Sequence, residues 1–368
     1  MATATLSISF ERSREKCDIF VKDQILANLP SRQFSNLSSV IVISDDNVSK
    51  LYAERVRNGL SRRITSTGAI TFPHGEKSKN LHTVSVIASK MSDLDADRNT
   101  AVLALGGGVV GDLVGFVCSV FKRGIKYFQA PTTLLAQVDS SIGGKTGVDA
   151  EWGKNQLGTF YQPTAVFIDP STLDTLPRSE IINGLGEMIK SGIIADKNLF
   201  EQVKKIDFFS IHSLKPLIPQ TCEIKAKIVR ADEREANLRS VLNYGHTVGH
   251  AIEASSDYIL GHGKCVILGM MAEGWISSKL GIFEESDYKK QTDLLKKVTQ
   301  RFKVDFKTLD TKEILSFARL DKKSSRSSIR MALPERIGRM HMEKNGSFLV
   351  PVSKDLFVSS LEQLRREV

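Results

Sequence analysis

Residues 101–121 are almost wholly apolar and carry a single charge, Asp112. By length the run could pass for a membrane helix of roughly 20 apolar residues. Gly106, Gly107 and Gly108 in its middle argue otherwise, because consecutive glycines weaken a helix interior. The AVLAL before them reads as a buried strand and the GDLVGFVCSVF after them as a helix. Strand, glycine turn and helix in that order open an α/β unit, and no membrane span is implied.

The neighbouring segments repeat the pattern. Val40 to Ile43 reads as a strand ending at Ser44, Asp45 and Asp46, with further strands at 101–105, 126–129 and 166–169. After the turn HGEKSKN, Leu81, Val84, Ile87, Ala88 and Met91 recur at helical spacing. Beyond Pro177 the β-branched runs thin out, and 180–194 and 215–236 read as helices. At 368 residues the chain suits two domains of roughly 150 residues or more. The expected fold is an N-terminal α/β, Rossmann-like domain over 1–177 and a mainly α-helical domain over 178–368, with the active site in a cleft between them.

Composition excludes several classes. With 41% hydrophobic and 25% charged residues the chain is neither disordered nor collagen-like. Cys17, Cys118, Cys222 and Cys265 are scattered without a CxxC pair, which fits a reducing cytoplasm. The first residues lack the apolar core of an export signal. A net charge of +9 permits nucleic acid or an anionic substrate. No RNP motif, zinc finger or long basic run is present, so a nucleic-acid partner is not expected.

Three segments carry chemistry. The glycines of AVLALGGGVVG let a pyrophosphate approach a helix N-terminus, or they simply make a tight turn; the GxGxxG fingerprint is absent. Asp45, at a strand end, suits either a ribose hydroxyl or a helix cap. The segment 131–158 holds Lys145 and Lys154 among adjacent threonines and glycines, read as a loop that binds phosphate or carboxylate, or as solvated turns. In NYGHTVGHAIE, His246 and His250 share a helical face, and His262 follows in GHGK, so three of the seven histidines cluster. A divalent metal completed by a carboxylate, an acid–base role and a polar core are the readings open there. The charge run from Lys225 to Arg239 has the pattern of a solvated helix face.

Taken in order, GGGVVGDLVGF, FKRG, PTTLLAQVDSSIGGKTG, GKNQLGTF, GLGEMIKSGII, LRSVLNYGHTVGHAIE and GHGKCV resemble the sugar-phosphate cyclases, most closely the 3-dehydroquinate synthases, from Ser44 to Gly338. The resemblance implies NAD in the N-terminal domain and Zn2+, or Co2+, held by Glu187, His246 and His262, which releases His250 to the substrate. It places Asp45, Glu76, Lys79, Gly107, Gly108, Val109, Asp112, Thr132, Thr133, Lys145, Lys154, Thr175 and Leu176 at the cofactor. It places Asp139, Lys145, Lys154, Asn155, Lys190, Lys225, Glu235, Arg239, Asn243 and His250 at an anionic sugar phosphate, with help from Lys322 or Lys323. Arg123 of FKRG would enter from the neighbouring subunit of a homodimer.

The implied reaction converts 3-deoxy-arabino-heptulosonate 7-phosphate to 3-dehydroquinate by transient oxidation, phosphate elimination, re-reduction and aldol closure, a lyase step without net redox change. Lys145, Lys190, Glu235, His250 and Asp139 are its candidate catalytic groups. Arg239 and Asn243 suit a substrate carboxylate and argue against neutral-sugar cyclases; another such cyclase and a metal-dependent polyol or glycerol-phosphate dehydrogenase are the rival readings. Two positions depart from the family pattern: Asp149 replaces an asparagine, and Lys264 puts a cation beside His262.

Overall fold

The computed structural model describes residues 4–9, 16–61, 64, 67–304, 310–320 and 329–368. The chain forms two compact units. The first comprises Met1–Leu176 with Lys225–Arg230, the second Pro177–Ile224 with Ala231–Val368.

The first unit is built on a seven-stranded sheet of β1 (Ala4–Ser9), β2 (Lys16–Val21), β3 (Ser39–Asp45), β4 (Thr67–Phe72), β5 (Thr100–Gly106), β6 (Tyr127–Pro131) and β9 (Ala165–Ile168). Their order is β1-β2-β9-β6-β5-β3-β4, parallel throughout except for the β1–β2 pair. Alternate residues feed two cores. Val40, Val42, Leu103 and Phe128 pack on one side, and Ile41, Ile43, Val102, Ala104 and Tyr127 on the other. A parallel sheet covered on both faces needs strands that are apolar throughout, which is why the AVLAL run is legible.

From β3 the chain steps outward to β4 and returns to β5 on the opposite side of β3. This reversal is a topological switch point, where open α/β sheets leave a crevice at the carboxyl ends of the strands. Asp45 ends β3 and Gly106 ends β5, and the two strands are clamped there by Ser44 Oγ donating to Leu105 O at 2.7 Å.

Residues 131–158 are more ordered than a loop. After a helical turn at Ala136–Ser140 they form a hairpin of β7 (Lys145–Ala150) and β8 (Gly153–Phe160). Gly147 and Gly158 face each other across it so closely that a Cβ on either would meet backbone oxygen below 3 Å. The glycines that suggested a loop therefore serve close strand pairing.

The second unit is mainly helical, with two small two-stranded sheets near its end. Helix His262–Lys279 runs through its centre. Cys265, Val266, Ile267, Leu268, Met270, Met271 and Ala272 are all buried, so no face of the helix is left to solvent. The helix expected over 215–236 ends at Ala231 instead. Asp232 stops it: its carboxylate accepts from the backbone N–H groups of Ala236, Asn237 and Arg239, and Glu235 takes a left-handed φ of 59°. Among the described residues no helix is long and apolar enough to cross a membrane.

Candidate active site

In the first unit the switch point is lined by backbone. Helix Gly108–Val120 begins at Gly107, which offers no side chain to cap it, so its first N–H groups are open to a ligand. A Cβ at Gly107 would lie 3.1 Å from Thr133 Cγ2, and one at Gly108 3.2 Å from Ser140 Oγ. Glycine at both positions lets Thr133 and Ser140 pack against the turn and keeps side chains away from the helix N-terminus, a geometry that suits an anionic group. Val109 follows in the same first turn, and the Thr132 backbone N–H donates to Gly106 O at 2.9 Å, joining the two loops. Asp45 Oδ1 accepts from Asn47 and Val48 N–H, so this oxygen is a helix cap. Thr175 Oγ1 lies 2.5 Å from the Tyr52 hydroxyl, just before Leu176.

A charged lattice borders the hairpin. Lys79 Nζ, almost fully buried, donates to Asp112 Oδ2 and to Asn155 Oδ1, both at 2.6 Å. Burial alone would lower the Lys79 ammonium, but Asp112 and Glu76 raise it above its ordinary value. Lys154 pairs with Glu76 at 3.6 Å. Asp149 Oδ1 accepts from the Asn155 N–H at 2.8 Å, holding Asn155 in a left-handed turn; this is the work of the aspartate that departs from the family pattern. Lys225 Nζ reaches Asp139 at both its backbone carbonyl (2.8 Å) and its carboxylate (2.5 Å). Part of the presumed solvated run is thus buried. Lys145 opens the hairpin at an exposed position, and Arg123 sits on an exposed turn where Lys122 and Arg123 both have positive φ.

In the second unit the site is made of side chains, a buried carboxylate facing two half-buried imidazoles. Glu187 and Lys190, three apart on helix Arg178–Ala195, form an ion pair at 1% and 2% exposure. Glu187 Oε1 lies 3.4 Å from His246 Nε2 and 3.5 Å from His262 Nε2. The ligand nitrogens of His246, His250 and His262 lie within 4.8 Å of one another. Glycines beside Glu187, His246 and His262 explain the convergence: a Cβ at Gly186 would meet Gly263 O at 2.5 Å, and one at Gly269 would meet Gly245 O at 1.9 Å. Each of Glu187, His246 and His262 therefore adjoins a backbone-to-backbone helix contact.

The electrostatics fit a cation. Burial would raise the Glu187 carboxyl, but the Lys190 charge and His262 bring it down to about 2. Burial would lower His262, but the hydrogen bonds it donates to Glu187 and Glu253 hold it up at about 10. His246 is driven well below its ordinary value by burial and by Lys190. One carboxylate and two imidazole nitrogens, turned on a common point, form a donor set suited to Zn2+.

Nearby, Asn243 Nδ2 donates to Glu235 Oε1 at 2.5 Å, and the buried Arg239 donates through Nη1 to Glu233 O. Lys264 does not crowd the centre, since its Nζ stands 5.9 Å over the Phe302 ring. Lys322 and Lys323 lie outside the described residues.

Two carboxylates had gone unread in the sequence. Glu253 Oε2 is 3.2 Å from His262 Nδ1. Glu273, wholly buried, accepts from Gly245 N–H at 2.7 Å and Val248 N–H at 2.9 Å, capping the helix that starts at His246. Glu253 stands seven residues after His246 and so on the same helical face, a signal the spacing contains. Nothing local marks Glu273.

Sequence models of the 3-dehydroquinate synthase N-terminal and C-terminal regions match residues 69–183 and 184–324. The chain belongs to the 3-dehydroquinate synthase family. A 3-dehydroquinate synthase of Thermodesulfovibrio yellowstonii is 42% identical, covering 84% of this chain and 87% of that protein. One of Symbiobacterium thermophilum is 39% identical, covering 97% and 100%. Among solved structures, 2-deoxy-scyllo-inosose synthase in complex with carbaglucose-6-phosphate, NAD+ and Co2+ superposes with a TM-score of 0.88 at 26% identity, covering 98% of this chain and 99% of that one. Identity to the 3-dehydroquinate synthases thus exceeds that to this cyclase of a different product. Family membership also accounts for the α/β unit followed by a helical unit.

Proposed function

We propose that this chain is a carbon–oxygen lyase that converts 3-deoxy-arabino-heptulosonate 7-phosphate to 3-dehydroquinate and phosphate, a step of the shikimate pathway toward aromatic amino acids. The observation that carries the reading is the continuous match to 3-dehydroquinate synthases through both halves of the chain. In this reading 1–177 is the NAD-binding domain and 178–368 the metal- and substrate-binding domain. Four buried cysteines, none of them in a disulfide, suit a cytoplasmic enzyme.

Bound NAD supplies a hydride acceptor that returns what it takes. Bound Zn2+ or Co2+ supplies Lewis acidity to a substrate alcohol. The remaining work falls to the chain. The helix N-terminus at Gly107, Gly108 and Val109 receives the pyrophosphate, with Thr132, Thr133, Thr175 and Leu176 around it, and Asp45 serves a ribose through Oδ2. Glu76, Lys79 and Asp112 fix the adjoining turn, where Lys145, Lys154 and Asn155 meet the anionic ends of cofactor and substrate. Glu187, His246 and His262 hold the metal. Lys190 supplies fixed positive charge where oxygen becomes negative, and Lys225 and Asp139 orient the sugar as a pair. Arg239 and Asn243 take the substrate carboxylate, for which a guanidinium fork is better shaped than an ammonium. Glu235 and His250 move protons, Lys322 or Lys323 assists, and Arg123 completes the site of a neighbouring subunit in a homodimer.

The test is phosphate release from 3-deoxy-arabino-heptulosonate 7-phosphate with catalytic NAD and Zn2+, while NADH is followed by absorbance. Phosphate and 3-dehydroquinate without accumulating NADH is the expected result. Accumulating NADH without phosphate would make the enzyme a dehydrogenase and overturn the proposal.

A further inference from the structure

We infer that Glu253, which belongs to none of the ligand or substrate sets above, is the positioning residue that makes His262 a metal ligand through Nε2. The inference rests on the proposed metal centre and deepens it. Glu253 lies two turns along the helix from His246, its side chain 10% exposed, and its Oε2 is 3.2 Å from His262 Nδ1. A carboxylate only accepts hydrogen bonds, so Nδ1 must carry the proton in this contact. In the neutral ring that leaves the lone pair on Nε2, the atom 3.5 Å from Glu187 Oε1.

The two histidines differ in how they are held. His246 Nδ1 lies 3.1 Å from a backbone carbonyl, that of Tyr244, so its orientation is written into the main chain. His262 is the first residue of its helix, its side chain 28% exposed, and depends on a side chain from another helix. The negative charge of Glu253 behind the ring also makes Nε2 a stronger electron-pair donor to a metal. Outer partners of this kind are typically worth about 10–100-fold in metal affinity.

The experiment titrates Co2+ into the metal-stripped full-length protein and follows its visible absorption. Glu253→Ala and Glu253→Met, the latter filling the same space without an acceptor, should weaken Co2+ binding about 10–100-fold and change the absorption envelope. Glu253→Gln keeps an amide oxygen opposite Nδ1 and should recover most of the affinity. Ser277→Ala, which removes a buried 2.7 Å hydrogen bond to Pro334 O farther along the His262 helix, should lower the thermal midpoint but leave Co2+ affinity unchanged. A purely structural Glu253 would behave like Ser277. Wild-type affinity and absorption in Glu253→Met would overturn the inference, whereas a wild-type protein that takes up no Co2+ would overturn the metal centre itself.

Discussion

The glycine cradle of the first unit and the carboxylate–histidine centre of the second solve opposite problems. The cradle leaves the helix N-terminus without a side-chain cap, which is what the proposed anionic cofactor would use. The proposed metal centre gathers charged side chains in the protein interior before any ligand arrives, and each must be compensated within the protein. Lys190 compensates Glu187, Glu253 holds His262, and Glu273 caps the helix of His246. Damage to the cradle should therefore weaken ligand binding with little change in stability, and damage to the centre should affect both.

The contrast is tested most severely at Lys190. Lys190→Met leaves the buried Glu187 without its cation, so the metal-free protein should lose about 3–5 kcal/mol in urea unfolding. Added Zn2+ should restore part of that loss by supplying the missing charge; destabilisation indifferent to metal would contradict the pairing. Glu273→Ala strands two buried N–H groups, about 1–3 kcal/mol each. Amide hydrogen exchange should then speed up at Gly245 and Val248 before the rest of the unit.

On the cradle side, Gly108→Ala should weaken NAD binding about tenfold, or ~1.4 kcal/mol, while the thermal midpoint stays close to wild type. A large loss of stability there would erase the distinction between the two sites.

The smallest effect is protonic. His262 stands at about 10 in the metal-free protein against an ordinary 6.5. A raised folded-state value stabilises fully below pH 6.5 and loses its contribution as pH climbs through 10. Zn2+ must displace that proton, so its affinity should rise with pH across this window, and calorimetry in buffers of different ionisation enthalpy should detect proton release on binding near pH 8.

The same contrast explains what could be read from the sequence. The buried strands and the strand–glycine–helix turn were legible because a two-faced parallel sheet imposes unbroken apolar runs. The histidine pair was legible from helical spacing. The hairpin at 145–160 was hidden because glycines needed for close strand pairing look like loop glycines. The end of the helix at Ala231 was hidden because one carboxylate, Asp232, gathers three backbone N–H groups that lie after it in the chain. Glu273 reaches the N-terminus of a helix whose cap, Gly245, lies 28 residues earlier, and the close packing of Gly245 against Gly269 helps bring them together.

The most direct test of the account is anomalous scattering from crystals grown with Co2+ and NAD. One strong peak is expected about 2.0–2.2 Å, the range for zinc, from a Glu187 oxygen and from Nε2 of both His246 and His262, with His250 beyond bonding distance. A peak held by His246, His250 and His262 with Glu187 apart from it would contradict the account, because the buried carboxylate and its lysine would then have no metal to serve.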